Sequence, residues 1–268
     1  MTVTTLSPLA LALLGLLIPA GMIVAGVLRL RLNQDIVVAH TRMVLQLTAV
    51  GFFLEWLFGF SGVLPGLVWF AVMTITAGFA ILRSSRLRMR LLILPVGLGV
   101  GITAFLHLYL FLLVGGPEIW QAQGIVPIGG MLLGNTMGSI IIGLREFFDG
   151  MHDRVELYDF RRSLGHSSLR AALPFIRTGL QRSMAPQLAT VATIGIVSLP
   201  GMMTGQILGG SSPLTAVSYQ IAIMIAIFST RLLGTTAVIL AGLQFGTTPL
   251  GNLHPQVLTD RSRDISRK

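Results

Sequence analysis

The sequence predicts an all-α integral membrane protein that crosses the bilayer about seven times. Hydrophobic residues make up 53% of the 268 positions and charged residues only 11%, with a mean hydropathy of +0.80. A soluble domain normally has about a quarter charged residues. The apolar residues also form uncharged runs of about twenty, the length of a helix that crosses the hydrocarbon core. Composition and run length therefore both indicate a membrane protein.

Seven apolar segments are long enough to span a membrane as helices. They cover residues 8–28, 43–60, 63–82, 91–114, 125–144, 187–208 and 214–244. The first segment is interpreted as a retained helix rather than a signal peptide, because no positive residue precedes it and Arg29 and Arg31 follow it.

The basic residues lie in alternate loops, which predicts an orientation. Loops near 61–62, 115–124 and 209–213 contain no Lys or Arg. The basic residues of the other loops are Arg29, Arg31 and Arg42; Arg83, Arg86, Arg88 and Arg90; Arg145, Arg154, Arg161, Arg162, Arg170, Arg177 and Arg182; and Arg261, Arg263, Arg267 and Lys268. Because cytoplasmic loops carry the positive excess, the N-terminus is predicted outside and the C-terminus inside.

Several function classes are disfavoured by what the sequence lacks. Without cysteine there is neither a disulfide framework nor a thiolate metal site. The net charge of +9 is explained by orientation in the bilayer, and no motif indicates nucleic acid as a partner. There is no Walker A pattern for ATP hydrolysis and no H-E-x-x-H metalloenzyme pattern. A membrane-embedded enzyme is therefore the least supported interpretation.

The predicted sixth span contains its own interruption. Pro200 and Gly201 predict a kinked or broken helix there. A broken helix in hydrocarbon needs protein or a water-filled path to satisfy its backbone groups. The segment is therefore a candidate translocation pathway or gate, with Ser198, Pro200, Gly201, Met202, Met203 and Gln206 as its residues. The methionines have three alternative roles, which are core filling, a hydrophobic gate and direct metal contact.

The predicted fifth span has a face of small residues. Gly130, Gly134 and Gly138 recur every four positions, a spacing that lets helix backbones approach closely. Helix packing is one interpretation of this face. The other is a wall of the pathway, with Met131 as a soft contact and Asn135 either lining the path or hydrogen-bonding to another helix.

Two of these segments resemble a known family. Ile196–Gly210, IVSLPGMMTGQILGG, closely resembles a signature of the FetB/YbbM permease family, the membrane subunits of an ABC transporter linked to bacterial iron export. Val126–Asn135, VPIGGMLLGN, resembles a second signature, and Tyr219-Gln220 is a weaker match. The resemblance implies a permease of the bacterial inner membrane, a separate ATPase subunit that uses ATP, no cofactor on this chain, and a homodimer.

The segment 145–185 is predicted to be a cytoplasmic helical elbow. Its stretch from Arg161 to Ala171 resembles the short helix–glycine–helix element by which ABC permeases dock on their ATPase. The coupling residues that this resemblance implies are Arg161, Leu164, Gly165, His166 and Ser167. The alternative is an interfacial amphipathic helix facing anionic lipid.

Acidic residues before this element share a face if they are helical. They are Glu146, Asp149, Asp153 and Glu156. This face is either a cation-collecting mouth, with His152 beside it, or a solvated surface paired with the neighbouring arginines.

Charged residues inside spans are functional candidates because they are costly in lipid. Glu55, near the outer end of the second span, either has a functional role or reaches the membrane interface. Arg231 lies in the seventh span, and His107 of the fourth is either a satisfied core histidine or a pathway ligand. Members of the family carry Asp and Lys where this chain has Ala189 and Ala192. Arg231 near a pathway would repel cations and favour an anion or a chelated metal.

Together these features predict one transmembrane permease domain over residues 1–268, with a coupling region at 145–185 and a polar cytoplasmic tail at 246–268. The function predicted is export of iron or another metal by an ABC transporter. The alternatives are an ATPase-independent channel or carrier and an ABC exporter of an anionic or organic substrate.

Overall fold

The computed structural model describes residues 7–85 and 93–248, and it confirms an all-α fold. The helices are α1 Pro8–Gly15, α2 Leu17–Val27, α3 Asn33–Leu57, α4 Leu64–Ser84, α5 Ile93–Gly115, α6 Ala122–Asp153, α7 Val155–Ser163, α8 Ser168–Thr193, α9 Gly201–Leu208 and α10 Pro213–Gly246, with a short 3-10 helix at Pro117–Trp120. The predicted loop arginines 86, 88 and 90 lie outside the described residues. So does the predicted polar tail from residue 249 onward.

Five helical segments within the described ranges are long and apolar enough to cross a membrane. They are Leu9–Val27, Asn33–Leu57, Leu64–Ser84, Ala122–Asp153 and Pro213–Gly246. The first is α1 and α2 taken together, interrupted at Leu16. The predicted fourth span contains a shorter apolar helix, Gly99–Gly115. The predicted sixth span is divided between the end of α8 and α9, so it is not one continuous helix.

Helix α6 lies at the centre of the molecule. It packs most extensively against α4, α8 and α10, while α5 packs against α10 and α4. The buried face of α6 includes Ile140, Leu144, Phe147 and Phe148, all with no exposed surface. Lipid tails are as apolar as these side chains, so the association of the helices depends on close packing and on interhelical hydrogen bonds.

The contact between α6, α8 and α10 is made by glycines. A Cβ atom placed on Gly179 of α8 would lie 2.9 Å from the carbonyl oxygen of Gly143 in α6. A Cβ atom on Gly143 would lie 2.5 Å from Cγ2 of Thr235 in α10. Both distances are shorter than van der Waals contact allows. The three helices therefore approach this closely only because positions 143 and 179 lack side chains.

Helices α1 to α3 lie at the edge of the molecule. The end of α3 packs against the rest of the described structure, where Leu57 joins a small cluster with Ala122 and Val126, and the ring of Phe53 lies 4.2 Å from that of Trp69. Most of the apolar surface of α3 is exposed, including Leu45 at 65% and Phe52 at 72%. In a membrane protein this surface is suited to contact with lipid.

We predict that Gly179→Ala destabilises the protein, because the new methyl group would push the α6 backbone away. Inserting a group into a well-packed site typically costs about 1–3 kcal/mol. The midpoint of thermal unfolding of the purified protein should fall by several degrees. The control is Gly134→Ala, where no atom lies within 4 Å of the new Cβ. Equal midpoints for the two variants would contradict the close contact.

Candidate functional site

The helix break predicted at Pro200-Gly201 is present, and it is longer than the proline alone explains. α8 ends at Thr193 and α9 begins at Gly201. Within the break, Gly195 has a positive φ of 85° and donates its N–H to the carbonyl of Ser198 at 2.8 Å. Proline disfavours helical backbone in the residue before it and suits the start of the next helix. Gly195 therefore ends the first helix, and Pro200 caps the second.

The residues of the break are largely uncovered by the other described residues. Ile196 is 92% exposed and Val197 is 77% exposed. Ser198 and Gly201 are also exposed, and Pro200 is partly buried. Irregular backbone at membrane depth occurs only where protein or a water-filled cavity surrounds it. The segment 194–200 therefore needs a cover that one copy of this chain does not supply among its described residues.

Helix α9 holds the remaining candidates of this segment. Met202 packs against the main core, and Met203 is partly buried. Gln206 is also partly buried, and its side-chain oxygen Oε1 is buried without a hydrogen-bond donor among the described residues. These positions are consistent with core filling or with a gate.

The α6 candidates form a separate group. The Nδ2 atom of Asn135 donates to the carbonyl of Met131 at 2.8 Å, and both side chains are partly buried. Positions Gly134 and Gly138 open onto free space, because no atom lies within 4 Å of a Cβ placed there. No hydrogen bond between described residues joins these α6 groups to residues 198–206. The structure thus places two candidate surfaces, both on helices that pack against α10.

The elbow between α7 and α8 has the helix–glycine–helix form predicted from the sequence. Gly165 has a φ of 84°, its N–H donates to the Arg162 carbonyl at 2.9 Å, and the N–H of His166 donates to the Arg161 carbonyl at 3.4 Å. This pair of bonds is the Schellman pattern that ends a helix at a left-handed glycine. The side-chain oxygen of Ser167 then caps α8 by accepting from the Arg170 N–H at 3.4 Å.

Apolar side chains of the elbow point away from the protein. Tyr158 fixes α7 to the core and is 1% exposed. Phe160 is 62% exposed, Leu164 is 61% exposed and Leu169 is 50% exposed. The guanidinium of Arg161 is held close by, because its Nη2 donates to the carbonyl of Arg170 at 3.1 Å. An apolar surface next to fixed positive charge suits a protein docking site, and it equally suits an interfacial helix facing anionic lipid.

The acidic face near the elbow is interrupted by the end of α6. Glu146, Asp149 and Asp153 lie on α6, but Glu156 belongs to α7. Glu146 accepts a hydrogen bond from Arg182 at 2.5 Å, which favours the interpretation of a solvated, paired surface. Among residues 7–85 and 93–248 there is no group of three or more His, Cys, Asp or Glu side chains arranged to hold a metal ion.

Arg231 makes a polar cluster that joins three helices. Its Nε donates to Oγ of Ser139 in α6, and its Nη1 donates to Oε1 of Gln187 in α8, both at 2.6 Å. These two partners could not be predicted from the sequence, where each is merely a polar side chain within an apolar segment. Ser139 lies 92 residues and Gln187 44 residues before Arg231, so no local pattern links them to it.

The other intramembrane candidates lie apart from this cluster. Glu55 is exposed on α3. His107 is buried in α5, and its Nδ1 lies 2.8 Å from the carbonyl oxygen of Thr103. This contact favours a satisfied core histidine over a pathway ligand.

Membrane-length helices, a broken apolar segment and a projecting elbow define a multi-pass α-helical membrane protein. Residues 8–245 match the model of the Uncharacterised protein family (UPF0014), and the chain belongs to that family. The resemblance to FetB-type proteins is thereby confirmed.

Relatives of known name cover most of the chain. The UPF0014 membrane protein slr1647 of Synechocystis is 31% identical over 78% of this chain and 82% of its own length. The protein ALUMINUM SENSITIVE 3 of Arabidopsis thaliana is 30% identical over 73% of this chain and 71% of its own. The probable iron export permease protein FetB of Escherichia coli is 28% identical over 84% of this chain and 86% of its own length. No solved structure matches the chain with significance.

We predict that Gly165→Ala loosens the elbow, since a left-handed conformation costs a residue with a Cβ atom about 1 kcal/mol or more. Amide hydrogen exchange at residues 163–168 should become about fivefold faster. Gly165→Asn is the matched variant, because Asn tolerates this conformation, and it should exchange nearly as slowly as the native protein. Equal exchange in the Ala and Asn variants would show that the left-handed turn is not needed.

Proposed function

We propose that this chain is the permease subunit of an ABC transporter and exports iron or another metal by using ATP hydrolysed in a separate subunit. The observation that supports this most strongly is the elbow, whose side chains Phe160, Leu164 and Leu169 are exposed and apolar. A surface of this kind suits the cleft of a partner protein. The FetB relative is named a probable iron export permease, which supports iron as the proposed substrate.

The elbow is firmly connected to the membrane helices. Phe175 of α8 is fully buried, and a Cβ atom on Gly150 of α6 would lie 3.5 Å from its ring. The guanidinium of Arg154 lies over the same ring, 5.1 Å from its centroid. A movement imposed on the elbow would therefore displace α8 and α6 together. We propose that closure of the ATPase pair is transmitted in this way to the break at 194–200.

A homodimer supplies the cover that the break requires. We propose that a second copy packs along the exposed end of α8 and the segment 194–200, with the pathway between the two copies. Small residues such as Ala189 and Ala192, which are exposed there, allow helices to approach closely. Movement of the two halves would open the path to either side in turn.

The proposed topology follows the charges of the loops. It has seven crossings, with the broken α8–α9 segment as the sixth, the N-terminus outside and the elbow in the cytoplasm of a bacterial cell. The whole chain is then one permease domain, with coupling region 145–185 and polar tail 246–268.

The pathway residues proposed are those of the two candidate surfaces. On α6 they are Met131 and Asn135. On the broken segment they are Ser198, Pro200, Gly201, Met202, Met203 and Gln206. Fe(II) prefers imidazole and carboxylate ligands to thioethers, so the methionines are better suited to a hydrophobic gate than to iron ligation.

A second candidate function rests on Arg231. A cationic side chain near the pathway favours an anionic or organic substrate of the same ABC machinery. An ATPase-independent channel or carrier is the alternative mechanism, and it would leave the exposed apolar elbow without an ATPase to bind.

We predict that the double change Phe160→Ser and Leu164→Ser abolishes co-purification of the ATPase subunit, because it removes the apolar contact surface. The amount and thermal stability of the permease should stay unchanged, since both side chains are exposed. The control is Val155→Ser, an exposed apolar residue at the other end of α7. If ATPase capture is unaffected by the double change, the elbow is not the docking site.

We predict that cells expressing this chain together with its ATPase accumulate less iron than cells with either subunit alone. The measurement is total cellular metal across many elements, with an ATPase inactivated in its Walker A lysine as the control. Loss of iron without a working ATPase would favour a channel. No change in any metal would remove the metal assignment and favour the anionic or organic substrate.

A further inference from the structure

We infer that Arg231 and Gln187 form a binding site for the phosphate or carboxylate group of an anionic molecule. The site lies where α6, α8 and α10 meet. The inference concerns binding by the permease itself, so it does not depend on iron being the exported substrate.

The first reason is that no described residue neutralises the charge of Arg231. Its two hydrogen-bond partners, the Ser139 hydroxyl and the Gln187 amide oxygen, are both neutral. No ion pair among the described residues includes Arg231. Ser183, which accepts a hydrogen bond from Ser139 at the same junction, is uncharged as well, although a buried or half-buried charge is normally paired.

The second reason is a hydrogen-bond donor without an acceptor. Gln187 is only 4% exposed, and its Nε2 atom is buried with no partner among the described residues. This donor belongs to the same amide group whose Oε1 accepts from Arg231. Thr235, one turn beyond Arg231 on α10, also has a buried hydroxyl for which the described residues supply no partner. Leaving buried polar groups unpaired is destabilising, and a bound acceptor would remove that cost.

The third reason is the part of the guanidinium that is still available. The two described hydrogen bonds use Nε and Nη1, and no described residue accepts from Nη2. The side chain of Arg231 is only partly buried. An oxyanion at this edge would meet a fixed cation whose orientation is already set by Ser139 and Gln187. Fixed, planar donors of this kind suit phosphate and carboxylate groups.

The depth of the site allows two sources for the anionic group. Ser139 precedes Arg145 by six residues on α6, which corresponds to about 9 Å along the helix. In the proposed topology this is just inside the cytoplasmic surface of the hydrocarbon core. The phosphate of an anionic lipid headgroup can reach this depth from the bilayer, and a free oxyanion can reach it from the cytoplasm or the pathway.

The test is thermal unfolding of the purified full chain in neutral detergent, at constant ionic strength. Two probes are added separately, phosphatidylglycerol and inorganic phosphate, with phosphatidylcholine and chloride as their respective controls. At least one probe should raise the unfolding midpoint by several degrees. A response to the lipid alone identifies a headgroup site, and a response to phosphate alone identifies a site for free oxyanions.

Three variants then locate the effect. Arg231→Gln should abolish the response, and Arg177→Gln, which removes an exposed arginine from α8, should keep it. Gln187→Glu replaces the amide with a carboxylate that pairs with Arg231 and removes the Nε2 donor, so it should raise the midpoint without any probe and abolish the response. This variant also keeps the test valid if Arg231→Gln does not fold.

The inference is overturned by any of three results. One is that neither probe shifts the native midpoint. Another is that the response persists in Arg231→Gln. The third is that the Gln187→Glu variant has a lower unfolding midpoint than the native protein and still responds to the probe. That result would mean that the cluster is purely structural and that the anion acts elsewhere.

Discussion

The contact of α6 with α8 and α10 at Gly143 and Gly179 is the constraint on which the rest of the structure depends. A Cβ atom at either position would overlap atoms of the neighbouring helix, so the three helices meet nearly backbone to backbone. The polar cluster of Arg231 is formed at the same junction, where Ser139 also donates to the Ser183 carbonyl at 3.2 Å. In lipid, where apolar burial adds little between helices, such close packing and interhelical hydrogen bonds supply the stability.

This junction connects the two functional regions of the chain. On one side, α6 and α8 continue into the elbow, where Gly165 reverses the chain and presents Leu164 to the surroundings. On the other side, α8 continues to Thr193 and the break. One helix thus joins the proposed ATPase contact to the proposed gate. The packing against α6 and α10 prevents α8 from moving alone, which is what a coupling element requires.

Local chemistry made part of this structure predictable from the sequence. Pro200-Gly201 predicted the break, because proline and glycine act on the backbone within a few residues, whereas the glycine turn at Leu164-Gly165 was implied by the family resemblance. Uncharged run length located the five membrane-length helices. The start of the break at Gly195 was missed, because a glycine in an apolar run is equally compatible with helix. The partners of Arg231 were missed as well, because they depend on tertiary contacts that no local pattern encodes.

The central claim is that the elbow is the cytoplasmic contact with the ATPase, and cysteine cross-linking tests it most directly. The chain has no cysteine, so Leu164→Cys introduces a single reactive site. A thiol cross-linker should join this site to the co-expressed ATPase subunit, whereas Ser198→Cys, in the break that follows the far end of α8, should give no such product. The account would be contradicted if Leu164→Cys gave no product and were labelled instead by a membrane-impermeant thiol reagent added to intact cells.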